Sequence, residues 1–327
     1  MPNNAQLLLL DKNQVETLLD SDAVLQAVRE AFVLHSQGEG RVFPVVREKL
    51  ATGAVFGIKS GAVEAQGLLG FKAAGFWPSN RALGGEPHQA TILLFDPATG
   101  RPLCVIDGNA ITTQRTGAAG ALGLLQLAPA NSTRLCVFGT GVQAQIQTIF
   151  ALRVLPGLRA IRYVSVDGQR DSAYETAIRS RLADYCVLEH ALDRNEAVAQ
   201  SNVIITATPG KGALFDVEAV QPGTHLNCVG ADTQGKRELP EGLLARVRLI
   251  VDDAAQAREI GETQWSPETP CSTLGDLLTG KIEFQRQPED ITLFDMTGLA
   301  LQDLTVARLL HARAEATQTG TRMAWPW

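Results

Sequence analysis

The stretch Arg134-Leu-Cys-Val-Phe-Gly-Thr-Gly-Val-Gln-Ala144 carries the strongest structural signal in the chain. A short apolar run ends in a segment that fits G-x-G-x-x-G/A, and apolar, helix-compatible residues follow as far as Leu152. The two glycines permit a tight turn and a close backbone approach to a pyrophosphate, and the N-terminus of the next helix favours anions. The stretch therefore predicts a dinucleotide-binding strand–turn–helix, with cofactor contacts at Gly139, Thr140, Gly141, Val142 and Gln143. The alternative is a glycine turn that binds no nucleotide.

An acidic residue follows the next predicted strand, Ile161 to Val166. Asp167 lies 26 residues after Gly141, somewhat beyond the usual spacing of about 20. A carboxylate at this position binds the ribose hydroxyls and repels a 2′-phosphate, so the sequence predicts NAD rather than NADP. Arg170 lies three residues further on and keeps NADP binding open.

Composition restricts the possible classes of protein. The chain has 327 residues, 45% of them hydrophobic, and a net charge of −6. This length is enough for two domains, and the acidic balance argues against a nucleic-acid or anionic-membrane partner. The N-terminus lacks a basic signal-peptide start, and the run Leu7 to Leu10 is too short to cross a bilayer. The five cysteines have no metal-binding spacing and are expected to be reduced core thiols. We expect a cytoplasmic, metal-free protein.

The order of the predicted strands and helices changes after Pro129. Strand candidates at 134–138, 161–166, 185–188, 202–206, 224–229 and 247–251 alternate with helical stretches, which predicts a Rossmann-type, doubly wound parallel sheet. Earlier strands at 54–59, 68–74, 90–95 and 102–106 are closely spaced, which favours an antiparallel sheet. Two helices open the chain, and a final helix from about residue 300 is expected to pack back on the first domain. The predicted α/β protein thus has a discontinuous α+β domain (1–122 and 299–327) around a Rossmann domain (123–298).

Four cations in the first half lie in apolar or tight-turn surroundings: Arg47, Lys59, Lys72 and Arg115. A buried cation needs an anionic partner. Each cation alone is equally well explained by a snorkelling side chain or an internal ion pair. Together they favour a carboxylate-binding pocket, with Arg115 near the start of a helix as the strongest single candidate.

Polar loops add further candidates. His88 lies in a Gly/Pro-rich loop and is either a solvent-exposed histidine or a hydrogen-bond donor to a substrate carboxylate. Asp232 and Lys236 follow a strand in a glycine-rich segment, at the edge where open α/β sheets bind ligands. Asp232 is a candidate acid/base or a ligand of a substrate amine, and Lys236 is a candidate cofactor contact. The alternative for both is a surface turn. Thr206 and Thr208 end another strand and are predicted to flank the dinucleotide. Nucleophile-elbow, Walker and paired-histidine motifs do not occur in the sequence.

Taken together, these segments resemble the ornithine cyclodeaminase/mu-crystallin family over nearly the whole chain. The glycine motif alone is not specific, but the combination is. The matching segments are Lys72 in its strand, Asp96-Pro-Ala-Thr-Gly-Arg-Pro102, Thr113-Gln-Arg-Thr116, Gly139-Thr-Gly-Val-Gln-Ala144, Gly230-Ala-Asp-Thr-Gln-Gly-Lys236, Val251-Asp-Asp253 and Phe294-Asp-Met-Thr-Gly-Leu-Ala-Leu-Gln-Asp303.

The resemblance implies a homodimer whose subunit pairs a substrate and dimerisation domain with a Rossmann domain. It further implies that Arg47, Lys72 and Arg115 hold the substrate carboxylate and that Asp232 lies at the reacting carbon. Lys236 and Thr297 would lie near the nicotinamide, and Thr116 is expected to contact the cofactor.

Within the family, the segments around Arg47, Lys59, Ser60 and His88 look most like the iminosuccinate reductases of the β-hydroxyaspartate pathway. A lysine at position 59 would repel a diamine and attract a second carboxylate. We therefore expect NADH-dependent reduction of a small α-imino acid, most simply iminosuccinate to aspartate, with Asp232 and Lys72 as catalytic residues. Lys59, Ser60 and His88 would hold the distal carboxylate. Open alternatives are a cyclic ketimine reductase, an amino-acid cyclodeaminase that recycles NAD, an alanine-type dehydrogenase and a non-catalytic binding protein.

Overall fold

The computed structural model describes residues 5–326. The chain divides into a first unit, Met1–Arg115 with Leu299–Trp327, and a second unit, Thr116–Gly298. The assignment of substrate binding to residues 1–122 and 299–327, and of dinucleotide binding to 123–298, stays a prediction.

The helices are numbered along the chain. They are α1 (Lys12–Leu18), α2 (Ser21–Gln37), α3 (Asn109–Leu127), α4 (Val142–Val154), α5 (Ser172–Arg179), α6 (Arg194–Ala199), α7 (Ala254–Ile260), α8 (Leu274–Thr279) and α9 (Ala300–Thr317). Asp11 and Asp20 cap α1 and α2 by accepting hydrogen bonds from backbone N–H groups of the first turn, which explains where these helices begin.

The strands form two sheets. They are β1 (Gln6–Leu10), β2 (Arg41–Val42), β3 (Val46–Lys49), β4 (Val55–Val63), β5 (Leu68–Phe76), β6 (His88–Phe95), β7 (Pro102–Asp107), β8 (Arg134–Phe138), β9 (Ala160–Val164), β10 (Val187–His190), β11 (Val203–Thr206), β12 (His225–Cys228), β13 (Arg248–Val251), β14 (Cys271–Thr273), β15 (Thr292–Asp295) and β16 (Thr321–Ala324).

The sheet of the first unit is mixed. Its order is β16-β1-β7-β6-β5-β4-β2, and β3 pairs with the outer part of β4. Strands β4 to β7 pair antiparallel, as their close spacing in the sequence predicts. Strand β1 pairs in parallel with β7. Strand β1 was predicted only as an apolar run too short for a membrane, because its partner β7 lies almost a hundred residues away.

Register places several predicted site residues on one face of this sheet. Lys59 lies opposite Lys72, and Arg47 lies opposite Gly57, two residues before Lys59. His88 lies opposite Phe76, four residues after Lys72. Because side chains alternate between the two faces of a strand, all four side chains share one face.

Helix α9 packs against that same face. Two glycines of the sheet allow its close approach: a Cβ on Gly70 would lie 2.9 Å from a methyl group of Leu304, and one on Gly61 would lie 3.4 Å from Leu301. Leu301, Leu304 and Leu310 are all buried. The expectation that the last helix packs on the first unit is confirmed, and its packing brings Asp303 into the same layer.

The second unit is a doubly wound, parallel α/β domain. Its strand order is β10-β9-β8-β11-β12-β15-β13-β14, and every pair is parallel. The order reverses between β8 and β11, and such a switch point is where open α/β sheets bind ligands. The predicted fold class is confirmed.

No helix among residues 5–326 is both long and apolar enough to cross a membrane. The five cysteines are free thiols, and four of them are buried, as expected for core thiols. Within the same residues, no group of three or more His, Cys, Asp or Glu side chains has an arrangement suited to a metal ion.

Candidate active site

Two buried cations of the first unit share one carboxylate. Lys72 Nζ lies 2.8 Å from each oxygen of Asp303 and 3.3 Å from Thr112 Oγ1. Arg115 Nε donates to Asp303 Oδ1 at 3.1 Å, and its Nη1 donates to Gln302 Oε1 at 3.0 Å. Asp303 is fully buried, Lys72 is 4% exposed and Arg115 is 8% exposed. A single carboxylate therefore neutralises at most one of the two charges.

Two further cations act on this pair through space. Burial lowers the pKa of Lys72 to about 8; Asp303 opposes this shift, whereas Arg115 and Arg47 add to it. Burial works against ionisation of Asp303, but Arg115, Lys72 and Lys59 together hold its pKa below the usual value. Arg47, Lys59, Lys72 and Arg115, which we call the cation cluster, are thus coupled electrostatically through Lys72 and Asp303. Lys72 and Arg115 share the one carboxylate of Asp303, and the positive charge left on this buried pair suits an anionic ligand.

His88 is held in one tautomer by its neighbours. Asn109 Nδ2 donates to Glu86 Oε2 at 2.7 Å and to the His88 carbonyl at 3.1 Å, so Asn109 Oδ1 is left to accept from His88 Nδ1 at 3.1 Å. Glu86 is fixed in turn by an ion pair with Lys12. Burial and the charge of Lys72 lower the pKa of His88. Its Nε2 can therefore donate to a carboxylate only after taking up a proton.

The structure does not bring the Ser60 side chain to the cation cluster. Ser60 lies opposite Phe71, between the Lys59–Lys72 and Gly61–Gly70 pairs. Alternation along β4 therefore directs its side chain to the face opposite Lys59. Lys59 and Ser60 were predicted together from the resemblance of their segment to iminosuccinate reductases, but neighbouring side chains in a strand point to opposite faces.

In the second unit, the glycine motif has the backbone that its sequence predicts. Gly139 has a φ of 101°, and a Cβ there would lie 2.5 Å from the carbonyl oxygen of Ala207. Gly141 caps α4, and a Cβ on it would meet no other atom within 4 Å. Val142 begins the helix with 60% of its surface exposed, and Ala144 is buried against the sheet. The first glycine is required by the turn, and the second leaves the helix N-terminus open to a phosphate.

The hydroxyl groups of the two threonines predicted to flank the dinucleotide already donate to a carboxylate of the protein. Thr206 is fully buried, and its hydroxyl donates to Glu238 Oε2 at 2.7 Å. Thr208 donates its backbone N–H and its hydroxyl to Glu238 Oε1, at 2.6 and 2.7 Å. The Thr206 hydroxyl is thus committed to holding the loop. The remaining predicted contact in this region, Thr116, is buried and accepts a hydrogen bond from Gln147 at its carbonyl.

Asp232 and Lys236 form an ion pair, with Lys236 Nζ 2.7 Å from Asp232 Oδ1. Both side chains are partly exposed, so each remains accessible to a ligand. Thr297 is 4% exposed, and its hydroxyl donates to Asp252 at 2.7 Å and accepts from Gln256 at 2.6 Å. Its side chain holds the segment after β15 in position.

Three buried carboxylates that were not predicted from the sequence accept hydrogen bonds from the backbone of these loops. Glu262 Oε1 accepts from the Glu238 backbone at 2.6 Å, and Asp295 Oδ1 accepts from the Glu262 backbone at 3.1 Å. Burial raises the pKa of all three groups, that of Glu262 to about 8 and that of Asp295 to about 7. We call Glu238, Glu262 and Asp295 the carboxylate chain. Each member fixes the backbone of the next loop.

No role was predicted for Asp303 or Asn109. A signal was available for Asp303, since a carboxylate among Leu301, Leu304 and Ala307 interrupts an apolar helix face. Asn109 carries no such signal, because its role depends on contacts with Glu86 and His88 across a turn.

Comparison with known proteins identifies the family. The profile of the ornithine cyclodeaminase/mu-crystallin family matches residues 6–318. The alanine dehydrogenase of Archaeoglobus fulgidus is 31% identical over 97% of this chain and 98% of its own length. The iminosuccinate reductase of Paracoccus denitrificans is 33% identical over 92% and 95%. A pyrroline-2-carboxylate reductase of Bacillus cereus is 28% identical over 79% and 82%.

Solved structures give the same result. An archaeal alanine dehydrogenase dimer with bound NAD superposes with a TM-score of 0.91 at 29% identity, over 98% of this chain and 100% of that one. The Paracoccus denitrificans iminosuccinate reductase with NAD⁺ superposes with a TM-score of 0.87 at 29% identity, over 98% and 99%. The relatives named here are reductases and dehydrogenases that match over most of the chain. This chain belongs to the ornithine cyclodeaminase/mu-crystallin family and is an enzyme of that family.

Proposed function

We propose that this enzyme is an NADH-dependent reductase of a small α-imino dicarboxylic acid, and that it reduces iminosuccinate to aspartate. The observation that carries the proposal is the buried pair of Lys72 and Arg115, two cations that share the single carboxylate of Asp303. A carboxylate of the substrate would balance the positive charge that Asp303 leaves on this pair. Lys59 and His88 lie on the same face of the sheet as Lys72 and would be the partners of a second substrate carboxylate.

Each carboxylate has its own partners in this proposal. Arg115, Lys72 and Arg47 hold the α-carboxylate, and Lys59 holds the distal one together with His88, which takes up a proton when the second carboxylate binds because its pKa is lowered in the free protein. Arg115 is already oriented by Asp303 and Gln302, so little side-chain entropy is lost when it binds. Lysine at position 59 disfavours a diamine substrate, which argues against cyclodeamination of ornithine.

The cofactor is proposed to be NAD. The Gly139 turn, the open N-terminus of α4 and the carboxylate of Asp167 fit a dinucleotide without a 2′-phosphate. Gly139 to Gln143 would meet the pyrophosphate, and Lys236 would lie beside the nicotinamide. The similar alanine dehydrogenase and iminosuccinate reductase were both solved with NAD.

The cofactor, when bound, supplies the hydride that converts the C=N carbon to a C–H carbon. The residues of the chain do the rest: the cations fix the substrate carboxylates, and fixing a reactant contributes effective molarities of up to about 10⁵ M or more. Asp232, oriented by Lys236, exchanges a proton with the substrate nitrogen and stabilises the iminium. Lys72, with its pKa lowered to about 8, is a second group able to donate a proton near neutral pH.

The test is NADH oxidation with a panel of substrates. Oxaloacetate with ammonia forms iminosuccinate in solution, and pyruvate with ammonia forms the monocarboxylic analogue. We expect turnover with the first mixture, with aspartate as product, and a much lower kcat/KM with the second.

Other outcomes identify other members of the family. Turnover on pyrroline-2-carboxylate or piperideine-2-carboxylate without turnover on iminosuccinate would assign cyclic ketimine reduction. Ammonia release from ornithine without net NADH change would assign a cyclodeaminase. Faster turnover with pyruvate and ammonia would assign an alanine-type dehydrogenase, and tight cofactor binding without turnover would assign a binding protein.

We further propose that the enzyme is a homodimer. In the first unit, Val46, Phe76 and Leu83 are 44%, 44% and 83% exposed, an apolar set that suits burial against a second copy. The archaeal alanine dehydrogenase was solved as a dimer. Light scattering of the purified protein should give twice the 35.0 kDa of the chain.

A further inference from the structure

An arginine in the loop after β9 is already paired with a carboxylate. Arg170 Nε and Nη2 donate to the two oxygens of Glu175, both at 2.9 Å, in a bidentate arrangement. Such a fork-to-fork pair uses the same N–H donors that would bind a phosphate. Arg170 is therefore engaged, although 66% of its side chain is exposed.

Glu175 is itself held rigidly. Tyr163 donates its hydroxyl to Glu175 Oε1 at 2.6 Å, and Arg179 Nη2 lies 3.3 Å from Oε2. The Tyr163 ring is fully buried and packs 5.0 Å from the rings of Tyr174 and His190. Hydrogen bonds from Arg170 and Tyr163 lower the pKa of Glu175 to about 2, so it stays ionised at neutral pH.

The same loop presents an acid to solvent. Asp167 is exposed, and its Oδ1 accepts from the backbone N–H of Gln169 at 3.0 Å. Gly168 between them has a φ of 73°, which completes the turn. The loop therefore offers a fixed negative charge at Asp167, while its positive charge at Arg170 is neutralised by Glu175.

We propose that Glu175 determines the cofactor specificity of this enzyme by holding Arg170, so that the loop binds a ribose diol through Asp167 and does not bind a 2′-phosphate. The inference rests on the proposed binding of a dinucleotide and extends it. Glu175 acts as a positioning residue: it neutralises the one cation of this loop that would otherwise favour a 2′-phosphorylated cofactor.

The first test measures binding of NADH and NADPH to the full-length protein by nicotinamide fluorescence, without substrate. Glu175→Gln keeps the size of the side chain but removes its charge. An exposed ion pair contributes little, so we expect the Kd for NADPH to fall by about fivefold and the Kd for NADH to change by less than about twofold. Adding Asp167→Ser removes the like charge and should raise the total gain to about 100-fold.

Two control variants separate the mechanism from a general loosening of the loop. Arg179→Ala removes another cation partner of Glu175 but leaves the Arg170–Glu175 pair, so it should not improve NADPH binding. In an Arg170→Ala background, Glu175→Gln should no longer improve it. An unchanged NADPH affinity in Glu175→Gln, or a gain that persists without Arg170, would overturn the inference.

Arg170→Ala alone tests the proposal even if Glu175→Gln folds poorly. Because Arg170 is held by Glu175, its removal should leave NADPH affinity unchanged within about twofold; a large loss would show that Arg170 already binds the 2′-phosphate and would contradict us. Failure of the wild-type protein to bind either dinucleotide would instead reject the proposed function. Imine reduction with normal NADH binding but no effect of Glu175→Gln would reject only the role of Glu175.

Discussion

The first and second units each bury a group of charged side chains, but they compensate the charge differently. In the cation cluster, Lys72 and Arg115 share one carboxylate, and Arg47 and Lys59 add to the positive charge. In the carboxylate chain, Glu238 accepts four hydrogen bonds from backbone N–H groups and threonine hydroxyls. Two buried cations thus share one anion in the first unit, whereas a buried carboxyl group in the second unit is hydrogen-bonded by neutral donors.

This difference suggests different roles: the cation cluster binds a ligand, and the carboxylate chain holds the structure of its unit. Carboxylates whose lone pairs accept backbone N–H groups are stabilised by the fold itself, and they fix loops in return. Lys72 and Arg115, which share one carboxylate, are stabilised less well, and a ligand carboxylate improves their charge balance. We therefore expect changes in the carboxylate chain to alter stability, and changes in the cation cluster to alter affinity for anions.

The largest effect is expected where Lys72 and Arg115 lose the carboxylate that they share. Asp303→Asn would leave Lys72 and Arg115 buried beside a neutral amide, which should lower the free energy of unfolding by about 3–5 kcal/mol. Urea denaturation measures this change. Glu30→Gln, which removes the partner of Arg308 in a half-exposed pair, is the control and should cost less than about 1 kcal/mol. Similar losses of unfolding free energy in both variants would mean that the buried Asp303 carboxylate stabilises the protein no more than a partly exposed one.

The carboxylate chain should make the protein less stable in alkaline solution. Burial, and to a smaller extent Asp295, raises the pKa of Glu262 to about 8 in the folded protein. The protonated Glu262 side chain therefore stabilises the fold fully at pH values below the pKa that Glu262 has in the unfolded chain. This stabilisation is lost as pH rises through about 8. Glu262→Gln should therefore reduce the stability lost between about pH 5 and pH 9 by about 2 kcal/mol. Denaturation curves at several pH values measure this. The same dependence of the free energy of unfolding on pH in both proteins would contradict the prediction.

Anion affinity should depend on pH through Lys72. Burial lowers its pKa to about 8, so the side chain is cationic below pH 8 and neutral above it. The inhibition constant of succinate, which stays fully ionised in this range, should rise by up to about tenfold per pH unit above pH 8. Lys72→Arg should move this rise to higher pH. A flat profile up to about pH 9.5 would show that Lys72 does not contribute charge to binding.

The smallest effect is expected for Ser60→Ala. Because alternation along β4 turns Ser60 away from Lys59, this change should alter the KM for iminosuccinate by less than about twofold, the range of a surface substitution. Steady-state kinetics measures it. A tenfold rise in KM would mean that the Ser60 hydroxyl binds substrate and that the face assignment from the strand register is wrong.

Much of the fold was predictable because its signals are local. The glycine motif at Gly139 and the alternation of strands and helices after Pro129 identify the parallel sheet, and closely spaced strands identify the antiparallel one. Strand β1 was missed because it pairs with β7 and β16, which are distant in the sequence.

The cationic residues of the candidate site could be predicted from the sequence, but the groups that they contact could not. Cations in apolar segments are visible in the sequence, so Lys72 and Arg115 were selected. Their shared anion, Asp303, lies 231 and 188 residues away from them, and only tertiary packing brings it there. The same holds for the Glu238 hydrogen bonds that engage Thr206 and Thr208, because a sequence does not show which hydroxyls are already used.

The most direct test of the cation cluster compares two substrates in two proteins. Under conditions that form iminosuccinate from oxaloacetate and the monocarboxylic imine from pyruvate, kcat/KM is measured for the wild type and for Lys59→Ala. We predict that Lys59→Ala lowers kcat/KM for iminosuccinate by about 10- to 100-fold and changes the value for the monocarboxylic imine by less than about threefold. An equal loss on both substrates, or no loss on either, would contradict a site built for two carboxylates.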